Sequence, residues 1–507
     1  MILWALKQYT GWHAARVRHS MLNPQDAQER VFKRLRRHLR GSVVAARSGL
    51  DRCHTLEDCR GLATSDGGSM KPLFQEAWER GAAASHLFGR TRILGFARTS
   101  GTLGEPKDVP MNQAFQDSLD RTLVRMVATH VHTSGTWDTL LPGRRILLGS
   151  RPTCGSSPTG LPVGDISGII PTRTWWSARW AFIPRRRDLW IEDWDAKATH
   201  ILAQAQGKNV VSISGIPALA HDFAARARAA YGVTHLDELW PALRQYVYGA
   251  VHLTAQQKAG LRNTWRAQQP ALQLFETYFA TEGALAFSYE PDVDGLALNS
   301  LENLYLFRAA AGDAPLLFAH ELEPGASYSI HVTTPGGLVN YQLGDHIEVV
   351  STSPLLIRIV GREAEEISMT GEKITVAQVD LALEAVGVAR SGVEAALPVV
   401  WAEQQGQPHL VWVLPVDGER HAVEPHLGEQ LDQALCRLNV LYEEALVKEK
   451  VIGTSKVIFK SPAAFESQRP SQLGAGQFKA RRLFNSRAAC CAEYRWEEPP
   501  DSTSTGG

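Results

Sequence analysis

The sequence predicts an α/β protein: a large N-terminal domain of layered α/β subdomains with a β-rich subdomain, followed by a smaller C-terminal α/β domain. Three observations carry this expectation. The chain has 507 residues, too many for one ordinary core. Helix-periodic and strand-like segments alternate through much of it. From about Ala284 to Val360 the pattern changes to short alternating runs, "LYLFRA", "SYSIHVTT", "HIEVVS" and "LIRIV", which read as hairpin-connected strands.

Taken in order, Pro24 to Gly49 reads as one helix, with Val31, Leu35 and Leu39 at i, i+4 and i+8 among arginines. "RILGFARTSGTLGEP" reads as a strand running into a polar loop. "MNQAFQDSLDRTLVRMVATHV" then reads as an amphipathic helix with Phe115, Leu119, Leu123, Met126 and Val127 on one face. "KATHILAQAQGKNVVSISGIPALAHDFAARARAAYG" gives a helix, the strand Asn209–Ser214 and a second helix. After the β-rich stretch, "VAQVDLALEAVG" is a helix, "PVVWAE" and "HLVWVLP" are strands, and "LGEQLDQALCRLNVLYEEALVKEK" is one long helix. Domains are expected at 1–360 and 361–495, with a disordered tail at 496–507 that is poor in hydrophobic residues.

Composition excludes some functions. Lys plus Arg and Asp plus Glu both number 53, a formal charge of zero, which argues against a chain that coats nucleic acid or an anionic membrane. Six cysteines fit no metal-ligand spacing and are too few for a disulfide scaffold, so a reducing, cytoplasmic compartment is expected. No window of 18 uninterrupted apolar residues predicts a membrane span, and the N-terminus lacks a signal-peptide pattern. A monomer or weak homodimer is expected.

Five stretches could carry chemistry. "TSGTLGEPK" offers Gly101 and Gly104 for close backbone approach to phosphate oxygens, Ser100 and Thr102 as hydroxyl donors, and Lys107 as a cation. It is not the GxxxxGK[ST] phosphate loop, and alone it also reads as a surface turn. "FETYFATEGALA" places Tyr278 and Phe279 before Thr281-Glu282: an aromatic face for adenine and a carboxylate for Mg²⁺, or else a helix cap. In "VNYQLGDHIEV", Asp345 at a turn with room around it could accept from both ribose hydroxyls. Arg362, at the expected domain boundary, could pair with phosphate or ribose. "GAGQFKARRLFN" brings Lys479 on a basic loop near the chain's end.

In this order the five stretches resemble the superfamily of adenylate-forming enzymes: acyl-CoA synthetases, peptide-synthetase adenylation domains and firefly luciferase. "TSGTLGEPK" is similar to its phosphate loop, with Leu103 where a second threonine is usual. "YFATE" resembles its Tyr-x-x-Thr-Glu element, and "YQLGD" its Tyr-Arg-x-Gly-Asp, with Gln342 for arginine. "GRE" resembles its Gly-Arg-x-Asp hinge, with Ala364 at the aspartate position. Within the superfamily, "ETYFATEG", "SISGIP", "PVGDISGII", "SMTGEK" and "GQFKARR" resemble the acyl acid amido synthetases, whose plant members conjugate auxin and jasmonate to amino acids. Divergence from the plant motifs points to a bacterial member.

That resemblance implies adenylation of a carboxylic acid by ATP with Mg²⁺, then transfer of the acyl group to an amine, expected to be an amino acid. It implies that Ser100, Gly101, Thr102, Gly104 and Lys107 hold phosphates, that Tyr278 stacks near adenine with Phe279 and Thr281 also at the nucleotide, that Asp345 binds the ribose, and that Arg362 bridges ribose and phosphate. Glu282 would place the metal. Lys479 would be the catalytic cation, carried in by a mobile small domain. An acyl pocket is implied against Val210–Pro217 and the helix after the phosphate loop. Trp175, Trp176 and Trp180 are candidates to line it or to pack in a core, and His130, His132 and His252 are candidate bases or structural histidines. Two alternatives stay open: an acyl-CoA synthetase, and a non-catalytic small-molecule-binding protein on the same fold.

Overall fold

A computed structural model describes residues 2–99, 107–137, 143–149, 151–172, 181–249, 253, 255–309, 315–362, 366–367, 369–370, 372, 374–388, 398–404, 407–416, 426–468 and 481–496. The chain forms two compact units, one built on residues up to Ile359 and the other on residues from Val360 onward.

Among the described residues the first unit holds three sheets. The widest has seven strands, and five of them run parallel in the spatial order Phe182–Ile183, Arg144–Leu148, Val210–Gly215, Gln245–Gly249, Gln273–Ala280. Numbered along the chain this is 2-1-3-4-5, a doubly wound order that reverses direction beside its first strand and opens a crevice at the carboxyl ends there. Helices Trp194–Ala205, Pro217–Tyr231 and Ala255–Trp265 make the connections between strands. Two antiparallel strands, Gly283–Phe287 and Ala297–Leu298, complete one edge.

The expected β-rich subdomain is a four-stranded antiparallel meander: Leu304–Ala309, Ser327–Thr333, Tyr341–Thr352 and Leu355–Arg362. A smaller sheet pairs Ile93–Arg98 with Asp108–Asn112 and with Pro162–Gly164. Its buried Phe96 and Val163 join one core with Leu306, Ile330 and Ile347 of the meander.

Several boundaries differ from the periodicity. An unpredicted helix, Ile2–Leu22, opens the chain. The helix from Pro24 stops at Leu39, because Gly41 adopts φ +77° and Ser42 caps a separate short helix, Val43–Ser48, through the amide of Ala45. Val109-Pro110, read as extended residues before the helix, belong to the strand Asp108–Asn112, and the helix starts at Gln113 instead of Met111 and runs to Ser134.

In the second unit, helix Val376–Ala385 and strands Val399–Glu403 and His409–Pro415 lie where expected. The long helix is broken after Leu438. Asn439 caps a new helical turn through the amide of Tyr442, while its side-chain amide donates to the carbonyl of Glu372. Trp496, assigned to the tail, stacks on Tyr494 and donates to the carbonyl of Ala464, so it belongs to the second unit's core. The remainder of the expected tail, 497–507, lies outside the described residues.

Burial keeps two histidines of the first unit neutral. His130 stacks on Phe275 with centroids 3.9 Å apart and bonds through Nε2 to the Ser288 carbonyl, and burial pulls its pKa down to about 3. His331 is pulled down to about 4 by burial, with the charge of Arg308 adding. Unfolded, both titrate near 6.5. Between these values the unfolded chain binds more protons, so their contribution to stability is present above pH 6.5 and falls as pH falls. Together they are expected to cost roughly 3 kcal/mol between pH 6.5 and 5. Thermal melts at pH 7.5 and 5.0 check this, and the difference should shrink in His331→Gln. Equal melting temperatures at the two pH values would contradict it.

Candidate active site

The phosphate-loop motif begins and ends on a clamped hairpin. Arg98 and Asp108 face each other across the two strands and form a bidentate ion pair, both contacts 2.9 Å. One residue further out, the Thr99 amide donates to the Lys107 carbonyl (2.9 Å), and the Lys107 amide donates to Thr99 Oγ1 (2.8 Å). Ser100, Gly101, Thr102 and Gly104 lie outside the described residues. Lys107 is exposed, and its amine reaches over Gly67, where any Cβ would collide with it. Asp66, beside it, caps helix Gly67–Arg80 in a reciprocal box with Ser69. Its carboxyl is held below the usual range first by the Ser69 amide, with the Lys107 charge adding. Sequence reasoning passed over Asp66, although "DGGS" before a helix is its signal.

The Tyr-x-x-Thr-Glu stretch is a β-hairpin and not a helix cap. Strand Gln273–Ala280 turns at Thr281-Glu282 into Gly283–Phe287, with Ala280 paired to Gly283. The Thr281 hydroxyl donates to Glu282 Oε2 at 2.8 Å. Glu282 is half-buried, beside a small pocket walled by Phe74, Phe88, Val109 and Phe115 and reached also by Thr334. Phe279 packs against the apolar cluster of Phe115, Leu119 and Ile169, as does Leu123.

Asp345 was expected at an open turn. It is instead buried, 3% exposed, inside the strand Tyr341–Thr352. Opposite Ser329 stands His346 and opposite His331 stands Gln342, so the second strand carries two extra residues here. Gly344, at φ +76°, takes the left-handed conformation this bulge requires. The bulge turns Asp345 inward, where the hydroxyl of Tyr278 donates to its Oδ2. Tyr278 is itself buried in the main core, so its hydroxyl fixes the carboxylate. The neighbouring Tyr341 phenol is pushed up by burial, then by the charges of Glu282 and Asp66. Asp66, Glu282 and Tyr341 are therefore one electrostatic neighbourhood, assembled from motifs far apart in sequence.

The crevice of the widest sheet lies at Leu148-Gly149 and Gly215-Ile216. A Cβ on Gly215 would stand 2.7 Å from both Cβ and O of Leu148, so only glycine lets these strand ends approach. Pro217 then opens the following helix. Asp165 caps helix Ile166–Thr172 through the Ser167 amide (2.9 Å) and hydroxyl (3.0 Å). Lys197, which sequence reasoning missed, is 3% exposed and donates to the carbonyls of Gly149 (2.8 Å) and Leu189 (3.0 Å). Burial lowers its pKa to about 8. Its signal was a lysine in phase with the buried Ile201 and Ala205 on one helix face.

Of the other candidates, His130 is a core residue, as described above, and His132 lies edge-on to Trp137. Arg362 ends the last meander strand, and nothing of its side chain is described. Lys479, Ala364, His252 and the tryptophans Trp175, Trp176 and Trp180 lie outside the described residues.

No curated protein matches this sequence. Residues 306–362, most of the antiparallel meander, match the family model described as GH3 family central domain. Among solved structures, the chain is similar to GH3.15 acyl acid amido synthetase at 13% identity, with 94% of each chain covered and a TM-score of 0.73. It is also similar to AtGH3.15 acyl acid amido synthetase in complex with 2,4-DB, at 14% identity, 96% of each chain and 0.70. A third likeness is to 2-hydroxyisobutyryl-CoA ligase in the postadenylation state with 2-HIB-AMP, at 12% identity, 96% of this chain, 92% of that chain and 0.55. Residues 306–362 are thus similar to the GH3 family central domain, and the chain as a whole shares its fold with these solved structures.

Proposed function

We propose that this protein is an ATP-dependent ligase that joins a carboxylic acid to an amine, with an amino acid as the acceptor. A carboxylate oxygen of the acid attacks the α-phosphorus of ATP, the bond to the bridging oxygen breaks, and pyrophosphate leaves an acyl-adenylate. The amine nitrogen then attacks the acyl carbon and loses a proton, and the carbon–oxygen bond to AMP breaks. The observation that carries the reading is the contact between Tyr278 and Asp345, which joins two of the five motifs across 67 residues.

In this reading Asp345 accepts from the ribose hydroxyls and Tyr278 holds it in place. Phe279 and Thr281 complete the nucleotide side, and Arg362 bridges ribose and phosphate. The clamped loop from Thr99 to Lys107 presents Ser100, Gly101, Thr102 and Gly104 to the phosphates, with Lys107 swinging from Gly67 toward their charge. Among the described residues no three His, Cys, Asp or Glu side chains gather as a metal cage. That suits Mg²⁺, which keeps its waters and takes one or two carboxylates beside substrate phosphates, here Glu282. Bound there, the ion would neutralise phosphate charge. Lys479 supplies the cation at the reacting phosphate.

ATP–pyrophosphate exchange tests the reading. The assay uses aryl, indolyl and aliphatic acids without an amine. Exchange is expected with one acid class and should fall about 100-fold in Lys479→Ala. ATP binding without exchange for any acid would sink the catalytic reading. Consumption of the adenylate by coenzyme A in preference to every amino acid would replace the acceptor.

A further inference from the structure

The zero net charge of the chain conceals a strong asymmetry. Residues 1–50 contain ten lysines and arginines against two acids, Asp26 and Glu29, so the rest of the chain carries a matching negative excess. This positive segment is the helix pair Ile2–Leu22 and Pro24–Leu39 with the short helix that follows. The first helix buries His13, Ala14, Val17 and Met21, and Trp137 donates to its Thr10 hydroxyl.

Its outer side is unusual. Trp4, Tyr9 and Trp12 are 67%, 51% and 54% exposed, although large aromatic side chains carry the greatest incentive to be buried. At 3.6 residues per turn, Trp4, Trp12, Ala15 and Leu22 fall on the crest opposite the buried stripe. Lys7 and Arg18 flank that crest on one side, and Arg16 and Tyr9 on the other. Arg16 lies 4.7 Å over the Trp12 ring.

Within electrostatic reach of Arg16, Arg34 and Arg125 join Arg121 around one carboxylate, Glu302, at 3.4, 2.8 and 2.7 Å. Arg34 and Arg121 keep side chains 45% and 46% exposed, with Asp117 and Asp120 near Arg121 offsetting part of the positive charge.

We propose that the exposed face of the first helix docks the protein on an anionic phospholipid surface, with the tryptophan crest entering the interface and the flanking cations meeting headgroup phosphates. An apolar aromatic crest bordered by basic residues is the pattern of a helix lying in the membrane plane. The charge complementarity points to this occupant: a two-fold contact with a second copy would bring the same positive face against itself. No helix among the described residues is long and apolar enough to cross a bilayer.

Flotation of the full chain with phosphatidylcholine vesicles, with and without phosphatidylserine, tests the proposal independently of any ligase activity. Binding is expected on the anionic vesicles at low salt and should weaken as salt rises. Replacing Arg16 and Arg18 together by glutamine should weaken partitioning about 30-fold, from roughly 1 kcal/mol per basic residue at the surface. Trp4→Ser with Trp12→Ser should weaken it comparably while leaving the salt dependence in place. Both variants alter exposed residues, and unchanged melting curves would show that they fold. Absence of flotation at low salt overturns the proposal, as does flotation indifferent to both variants. Tighter binding to single-stranded RNA, or self-association lost with the tryptophans, would assign the face to that partner instead.

Discussion

Glu302→Gln is expected to destabilise the first unit by roughly 3–5 kcal/mol, the range for breaking a buried ion pair from one side. Glu302 is 0% exposed and compensates Arg125, whose side chain is 6% exposed, as well as the half-exposed Arg34 and Arg121. Burial would raise the carboxyl's pKa, yet the three guanidinium groups bring it below its usual value. The amide has Glu302's shape and no charge, so it leaves Arg125 with an uncompensated cation and little water to replace the lost partner. The loss should be larger than that from Arg34→Gln, because Arg34 can be solvated where it stands. A double change, Glu302→Leu with Arg125→Met, removes both buried charges and is expected to recover part of the loss. Denaturant melts of the four proteins check this. A midpoint for Glu302→Gln equal to wild type would show that the cluster does not hold these helices to the 299–303 turn.

The second large effect falls on nucleotide binding. Asp345→Ala should raise the KM for ATP in the exchange assay by about 10- to 100-fold, the worth of a hydrogen bond to a charged group. It also deletes the acceptor that Tyr278 uses inside the core, so a lower melting temperature should accompany it. Asp345→Asn keeps an oxygen for Tyr278 and separates the two roles, with stability near wild type and KM still raised. An ATP KM within threefold of wild type in Asp345→Ala would remove Asp345 from the nucleotide site.

Much of this was legible from local pattern. The meander announced itself by alternation, and one of the five parallel strands, Val210–Gly215, by an apolar run between two helices. What was not legible depends on contacts remote in sequence. The Asp345 stretch reads as a turn because glycine before aspartate usually marks one, and only the pairing with Ser327–Thr333 shows that it is a bulge. The helix break at Asn439 is invisible in a pattern whose apolar period continues through it, since the reason is a hydrogen bond to Glu372, 67 residues away. Whole-chain charge concealed the basic N-terminal helices by averaging. Lys197 sat in plain view, but its carbonyl partners come from two separate places, the end of strand Arg144–Leu148 and the short helix Arg186–Trp190.

The bulge at Gly344 also explains which letters of its motif are free to drift. Tyr341, Asp345, Ile347 and Val349 all point inward, and the two additional residues between the strand pairings keep that phase. Losing one of them would turn either Tyr341 or Asp345 with its successors to the opposite face. Gln342, which stands where the resembled motif has arginine, meets Ser65 through its backbone amide, a contact that any residue except proline can make. The interval from tyrosine to aspartate is therefore fixed by geometry, while the backbone contact at position 342 holds whichever side chain stands there, proline excepted.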